Sequence, residues 1–436
     1  MRSRVFVFTI LIIQCITFFL CGCGETQLKL KEKVYLYDLP LFNINVNGAE
    51  IPDRSDPNYK DYAECEFIYT YGKNIVEDCE CKVRIRGTSS RYFPKKGYKI
   101  KLSSKISLAG LPKQKKYNLL ASYMDPTMLR DYLALSISYT MNTESNRYAP
   151  RPILTELILD KENLGLYILT DDISTDIGKI PLENYVETDV EIPFLLEMDT
   201  IAFKEGILGK DYFALGTTDM FDYDKTDDLN GTALLYKLDT PEDITTEQFN
   251  YIQTYITSCR GALVNKDINS FLKLVDINAF IDYFLLGELF RNTDMAGRSV
   301  YMYRPSVNGK LIFGPSWDFD YSCSRPWSAT SPNSDYSLTN AKDRFTNYDW
   351  WKLFLEIPQA EQLIKYRYKN YLRKVFVHEI EEAKEFYLFY ESKIKTNAEK
   401  WYRQNTNDTD KLVEDNYNWT FDYFRLRMEM MDELFL

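Results

Sequence analysis

Three separated stretches of the chain hold residue types that can handle an anionic group and a hard cation. Arg86-Gly87-Thr88-Ser89-Ser90-Arg91 runs on through Lys95 and Lys96 to Gly97-Tyr98-Lys99. Glycine and small hydroxyl residues there let backbone N–H groups approach an anion, and the flanking Arg and Lys supply positive charge. Glu288-Leu289-Phe290-Arg291-Asn292-Thr293-Asp294 closes an apolar run. An aspartate just past a buried helix is positioned rather than floppy, as a general base must be. Gly314-Pro315-Ser316-Trp317-Asp318-Phe319-Asp320-Tyr321 offers two carboxylates at i and i+2 among bulky aromatics, oxygen ligands suited to Mg²⁺ or Mn²⁺. Taken singly, each stretch also has an ordinary structural reading: a basic hairpin on a solvated face, a helix-end aspartate, an Asp-rich turn beside core aromatics.

The chain holds a single histidine, His378, within a charged helical pattern. That rules against Ser-His-Asp and Cys-His mechanisms and against multi-histidine zinc sites, so any chemistry rests on carboxylates, lysines, arginines and a hard metal. Cys79-x-Cys81 has no second Cys or His pair at zinc-finger spacing and does not read as a metal site. Cys65 is close enough to pair with Cys79 or Cys81, and spacing does not choose between them. A net charge of −11 argues against a nucleic-acid-binding face.

The elements that must position these stretches follow from periodicity. Phe42 to Val46 before Asn47-Gly48, and Glu66 to Tyr69, alternate as strands. Lys82 to Arg86 and Tyr98 to Leu102 alternate in opposite senses, two half-buried strands around a polar loop. Asp131 to Met141 reads as a helix. Thr155 to Leu159 and Leu166 to Leu169 read as partner strands around a turn at Asn163-Leu164-Gly165, and Pro193 to Met198 as an apolar strand. Residues 200–232, rich in Gly, Asp and Thr, read as an insertion or long loop. Helices follow over Thr245 to Leu263 and Ile268 to Phe290, interrupted by strands at Val300 to Tyr303 and Leu311 to Phe313, and the chain beyond Trp350 is helical. Strands first and helices last give an α+β fold.

At the N-terminus, Arg2 and Arg4 precede an apolar run from Val5 to Leu20, the pattern of a secretory signal. Leu20-Cys21-Gly22-Cys23 looks like a bacterial lipobox, which implies lipidation at Cys23 and a membrane anchor. Gly24 rather than Asp after the cysteine points to the outer membrane or cell surface. About 410 residues remain beyond the leader, enough for one large or two medium domains.

In order and approximate spacing, the three stretches resemble the CotH kinase family. Asp125 with Leu129-Arg130, Arg147-Tyr148-Ala149-Pro150, Gly165-x-Tyr167, Leu195-Leu196-Glu197 and Lys237 before Pro241 extend the match over most of the chain. The resemblance implies an atypical protein-kinase-like core over residues 81–350, after a leader (1–22) and a β-rich segment (23–80), with a helical part at 351–436. It implies ATP with Mg²⁺ or Mn²⁺ as cofactors and Asp294 as the catalytic aspartate. Asp318 and Asp320 would then hold the metal, with Arg86, Gly87, Ser89, Ser90, Lys95, Lys99 and Glu197 around the nucleotide. Lys95 fits the family motif, whereas Lys99 and Lys101 share the polar face of a strand. Two departures stand out: Arg298-Ser299 where members often carry asparagine, and Asp171-Asp172 where a glutamate is usual. The expected activity is phosphorylation of Ser or Thr on exported or surface proteins. The alternatives are a catalytically idle surface lipoprotein serving adhesion or coat assembly, and a carbohydrate-binding or carbohydrate-processing lipoprotein suggested by the many aromatics and carboxylates.

Overall fold

The computed structural model describes residues 38–53, 62–87, 90–199, 207–217, 233–292, 294–319, 322–323 and 349–436, with Leu30, Lys33, Tyr35, Leu338 and Ala341 besides. Alternating strands dominate its first part. β1 (Leu41–Asn45), β2 (Ala63–Tyr71), β3 (Asn74–Arg86), β4 (Gly97–Ile106), β5 (Gln114–Leu120), β6 (Ile153–Leu159) and β7 (Glu162–Asp171) close a barrel in the order β1-β2-β3-β4-β5-β7-β6. Neighbours are antiparallel except at the seam, where β1 runs parallel to β6 with Phe42 opposite Leu157. Closure removes the exposed strand edges that would otherwise invite pairing with other chains.

The period-2 alternation decides what fills the barrel. Val83, Ile100, Leu102, Tyr117 and Leu119 point inward and are fully or almost fully buried. Phe42 packs edge-on to Tyr69 at 5.1 Å in the same core. The intervening residues Lys82, Arg84, Arg86, Lys99 and Lys101 therefore lie on the outer face. Cys65 and Cys81 stand opposite each other in the β2–β3 register and form a disulfide, which selects Cys81 over Cys79.

The β6–β7 hairpin differs from its sequence reading. Asp160 and Lys161 both take positive φ and make the turn, and β7 already begins at Glu162. Gly165 lies inside β7, where φ is +80° and an added Cβ would meet Asn397 Oδ1 at 2.5 Å. Glycine there serves close approach to a helix, a need that the sequence shows only as a turn signal.

A second, antiparallel sheet has the order β12-β11-β8-β10-β9. Its strands are β8 (Phe194–Met198), β9 (Tyr212–Thr217), β10 (Ala233–Thr240), β11 (Val300–Arg304) and β12 (Ile312–Phe313). β9 falls inside the stretch expected to be loop, whereas 200–206 and 218–232 lie outside the described residues.

Helix α1 (Leu129–Thr143) follows β5, and α2 (Thr246–Val264) starts with a capping box between Thr245 and Gln248. The helical run over 268–290 is two helices, α3 (Ile268–Leu274) and α4 (Ile277–Phe290). Val275 is extended between them and the Asp276 side chain caps the second. After α5 (Asp349–Leu355) and α6 (Ala360–Arg367), a π turn at Tyr368–Leu372 leads into α7 (Arg373–Tyr402), and α8 (Thr409–Phe435) ends the chain. α7 packs on both α1 and β7: Tyr132 stacks on Phe386 at 3.8 Å, and the Leu166 N–H donates to Asn397 Oδ1. His378 is half-buried on α7. The result is a mixed α+β architecture, a barrel-like sheet and a second sheet followed by C-terminal helices.

Candidate functional site

The second sheet carries an unexpected amount of charge. Lys237 on β10 pairs with Glu197 on β8, and Glu197 with Tyr301 on β11, so the three lie in one row. Asp199 and Asp239 follow two residues on from Glu197 and Lys237, and both act electrostatically on Glu197. The other face presents Leu196, Met198, Tyr236, Val300 and Met302 to the core. Burial, followed by Asp199 and Asp239, pushes the Glu197 carboxyl up to about 8, and Tyr301 is hydrogen-bonded to it. Burial likewise raises the Asp239 carboxyl, although Lys237 opposes the shift.

Asp172 and Lys99 of the barrel act electrostatically on that same Asp239. Lys99, on β4, places Nζ 2.9 Å from Asp172 at the end of β7, and both side chains are only 18% exposed. Burial lowers the ammonium pKa of Lys99, and Asp172 works in the opposite direction. Burial raises the Asp172 carboxyl, but Lys99, Lys179 and Asn118 outweigh it and hold the group below the ordinary carboxylate range. The neighbouring Asp171 accepts from the Tyr148 hydroxyl instead.

Of the three lysines considered for phosphate, the structure places only Lys99 among these carboxylates. Lys95 is 1% exposed, donates to the Leu166 carbonyl, and stands 4.6 Å over the Tyr167 ring. Burial alone lowers its pKa to about 7. Lys101 is exposed on β4.

The loop from β3 to β4 reaches the aspartate-bearing segment through Arg86, whose guanidinium lies 5.4 Å over the Trp317 ring. Gly87 has φ +97°, and a Cβ there would fall 2.0 Å from Ser90 Oγ. Only glycine fits this turn, which lets backbone come close to whatever the loop covers. Ser90 begins a short 3-10 turn, Ser90–Tyr92. Ser89 lies outside the described residues.

Asp294 and Asp318 come together beneath this loop. Asn292 is fully buried at the end of α4, and its amide joins the two segments: Nδ2 donates to the Asp318 carbonyl at 2.7 Å, and Oδ1 accepts from the Asp294 N–H at 3.1 Å. Ser299 Oγ donates to Asp318 Oδ2 at 3.3 Å, so the residue that departs from the family pattern still reaches this carboxylate. Asp318 takes φ +63°, a backbone state that aspartate tolerates better than most residues. Asp294 is 5% exposed. Burial first, and the Asp318 charge second, push its carboxyl well above the usual range, while Arg298 pulls the other way. Asp318 also acts on Asp131, a buried carboxyl at the start of α1 that accepts from Ser122 Oγ at 2.7 Å.

The residues present suit a divalent cation. Asp294 Oδ1 is buried with no hydrogen-bond partner among the described residues, an arrangement that is costly unless something positive completes it. Asp318 supplies carboxylate oxygens of the type that Mg²⁺ and Mn²⁺ prefer, and its charge reaches Asp294 beside it. Among the described residues no three His, Cys, Asp or Glu side chains form a ready-made cage, and Asp320, like Cys23, lies outside those residues. Sequence reasoning gave no role to Asn292, Asp199, Asp239 or Tyr301. A signal existed in Glu197-x-Asp199 and Lys237-x-Asp239, charged pairs at period 2 that a strand buried on both faces does not carry.

Fold and site together define an α+β protein with a lysine–carboxylate pair on its barrel, an acidic second sheet, and two aspartates stapled by a buried asparagine. The chain belongs to the CotH kinase protein family, whose model matches residues 83–431, from within β3 to within α8. No curated protein matches the sequence.

Proposed function

We propose that this protein is an extracytoplasmic atypical kinase that transfers the γ-phosphate of ATP to Ser or Thr of exported or surface proteins. In this reading it is anchored to the cell envelope, at the outer membrane or cell surface, through a lipid on Cys23. The observation that carries the proposal is the Asn292 staple, which holds Asp294 and Asp318 side by side within a family of kinase proteins. ATP with Mg²⁺ or Mn²⁺ supplies the transferable group and the charge neutralisation that phosphoryl transfer needs.

The chain's own residues supply positioning. Asp172 holds the Lys99 ammonium in place to meet phosphate oxygens, and the Gly87 loop brings backbone N–H groups to the same anion. Asp318, joined by Asp320, holds the cation, and Ser299 and Asn292 fix its carboxylate and backbone. Asp294 orients the acceptor hydroxyl and takes its proton. A cation held at Asp318 would offset the burial that raises the Asp294 carboxyl and favour the carboxylate form that a base needs. Glu197, held by its hydrogen bond with Tyr301, lines the nucleoside pocket in this reading.

A second reading, a catalytically idle kinase-like lipoprotein acting in adhesion or envelope assembly, is favoured by Arg298. Its guanidinium acts on Asp294 and so takes part of the role of a cation. Labelled ATP with Mn²⁺ or Mg²⁺ separates the two. Asp294→Asn and Asp318→Ala should each lower label incorporation by about 10²–10⁴-fold with the melting transition preserved. Full activity in either variant removes that residue from its role, and absence of both label and nucleotide-induced thermal shift in the wild type selects the idle reading.

A further inference from the structure

The C-terminal helix α8 looks remote from the site in sequence, yet it grips the end of the helix that delivers Asp294. Arg427 and Glu288 form an ion pair, Nη2 to Oε2 at 3.2 Å, with both side chains completely buried. The same Arg427 donates to the backbone carbonyl of Glu288 and, at 2.9 Å, to that of Ala341. Four residues further, Asn292 and Asp294 begin the acidic segment.

That carbonyl matters because α4 ends in an unusual way. Its C-cap, Arg291, takes the left-handed conformation, φ 44° and ψ 49°, at a position where glycine is the ordinary choice. The Glu288 carbonyl accepts the Arg291 N–H as well as the Arg427 guanidinium. One residue before the cap, the Phe290 ring packs edge-on to Phe424 of α8 at 4.9 Å and to Phe319 at 5.2 Å. The Phe290 carbonyl also accepts the Cys323 N–H. A single helix end therefore ties α8 to both aspartate segments, to Asp294 through Asn292 and to Asp318 through Phe319.

A fully buried ion pair contributes little net stability compared with apolar residues of the same volume. What this one does supply is direction at a strained helix end. Resting on the kinase reading for its activity arm, we infer that Arg427 is a positioning residue, which sets the separation of Asp294 and Asp318 by clamping the end of α4.

The test uses the full chain carrying Glu288→Leu with Arg427→Met, which replaces the pair by apolar side chains and leaves no buried charge unpaired. The expected result is a melting transition close to wild type, faster hydrogen exchange at the Asp294 and Cys323 amides, and kcat lower by about 10²-fold, with KM for ATP within about 2-fold, as a small misplacement of catalytic groups produces. Wild-type exchange at both amides overturns the inference, as does wild-type kcat in an active enzyme. If the wild type transfers no phosphate, the kinase reading fails, and the exchange measurement still decides the positioning role. Should the double variant not fold, Arg427→Lys, which keeps the charge opposite Glu288 and loses the forked donation to the Glu288 and Ala341 carbonyls, is read by the same exchange and with the same criterion.

Discussion

Replacing Asp172 by asparagine isolates the Lys99 pair, because the side-chain volume is kept and only the charge is lost. In the folded protein Lys99 Nζ lies 2.9 Å from Asp172, with each side chain 18% exposed. Breaking one partner of a fully buried pair costs about 3–5 kcal/mol. The residual exposure and the neighbouring Asp239 carboxyl reduce this to about 2–3 kcal/mol near neutral pH. The pH dependence carries the stronger test. Burial already holds the Lys99 pKa below 10.5, so the folded state releases this proton before the unfolded state does. Between the folded and unfolded pKa values, the unfolded chain binds more protons and stability rises with pH. Without Asp172 the folded pKa drops further, and that window opens at lower pH. The deficit of Asp172→Asn should thus be largest where the folded wild type still holds Lys99 charged and shrink as pH rises toward 10.5, which lies above the folded pKa of Lys99 in both proteins. Urea unfolding at several pH values, read as the midpoint at constant m, measures it. A deficit below about 0.5 kcal/mol, or one that is flat from about pH 7 to 10, refutes the coupling of Lys99 to Asp172.

Three further outcomes follow from single contacts. Gly87→Ala should destabilise by about 1–3 kcal/mol and weaken ATP binding, because its Cβ meets Ser90 Oγ at a φ that alanine avoids; an unchanged urea midpoint contradicts this. Cys65→Ser with Cys81→Ser should lower stability by about 3 kcal/mol, since the bridge closes a loop of sequence separation 16, and the loss should match that of the reduced wild type. Burial pushes the Glu197 carboxyl up to about 8, above its usual 4.5, so the folded state holds the proton longer and stability falls as pH rises between those values. Its contribution reaches at most about 1.4 kcal/mol per pH unit, and Glu197→Gln should make the slope in urea melts at graded pH shallower by that amount, leaving what Asp239 and Asp294 add.

Much of this molecule is determined locally. The opposite alternation of Lys82 to Arg86 and Tyr98 to Leu102 requires two half-buried strands with their charges outward, and both are found in β3 and β4. Thr245 and Gln248 mark the start of α2 by a reciprocal cap, and the order of strands before helices announces an α+β chain. Near neighbours in sequence carry these signals, so pattern alone reads them. Asp294 and Asp318 stand out through the order and spacing that their stretches share with the CotH kinase family, since each stretch alone also reads as an ordinary turn or helix end.

Tertiary structure decided what those residues touch. Lys95 and Lys99 differ by four positions and share a charge, yet the pleat and the packing of β7 send Lys95 to Leu166 and Tyr167 and Lys99 to Asp172. Gly165 signals a turn in sequence, whereas the turn falls at Asp160-Lys161 and the glycine makes room for Asn397, more than two hundred residues away. Asn292 gains its role only because the Asp318 carbonyl arrives beside it, and Arg427 only because α8 returns to α4. Long-range partners are chosen by which surfaces can be buried together, and a buried donor must find its acceptor wherever the fold brings one. Composition and periodicity contain no record of that choice.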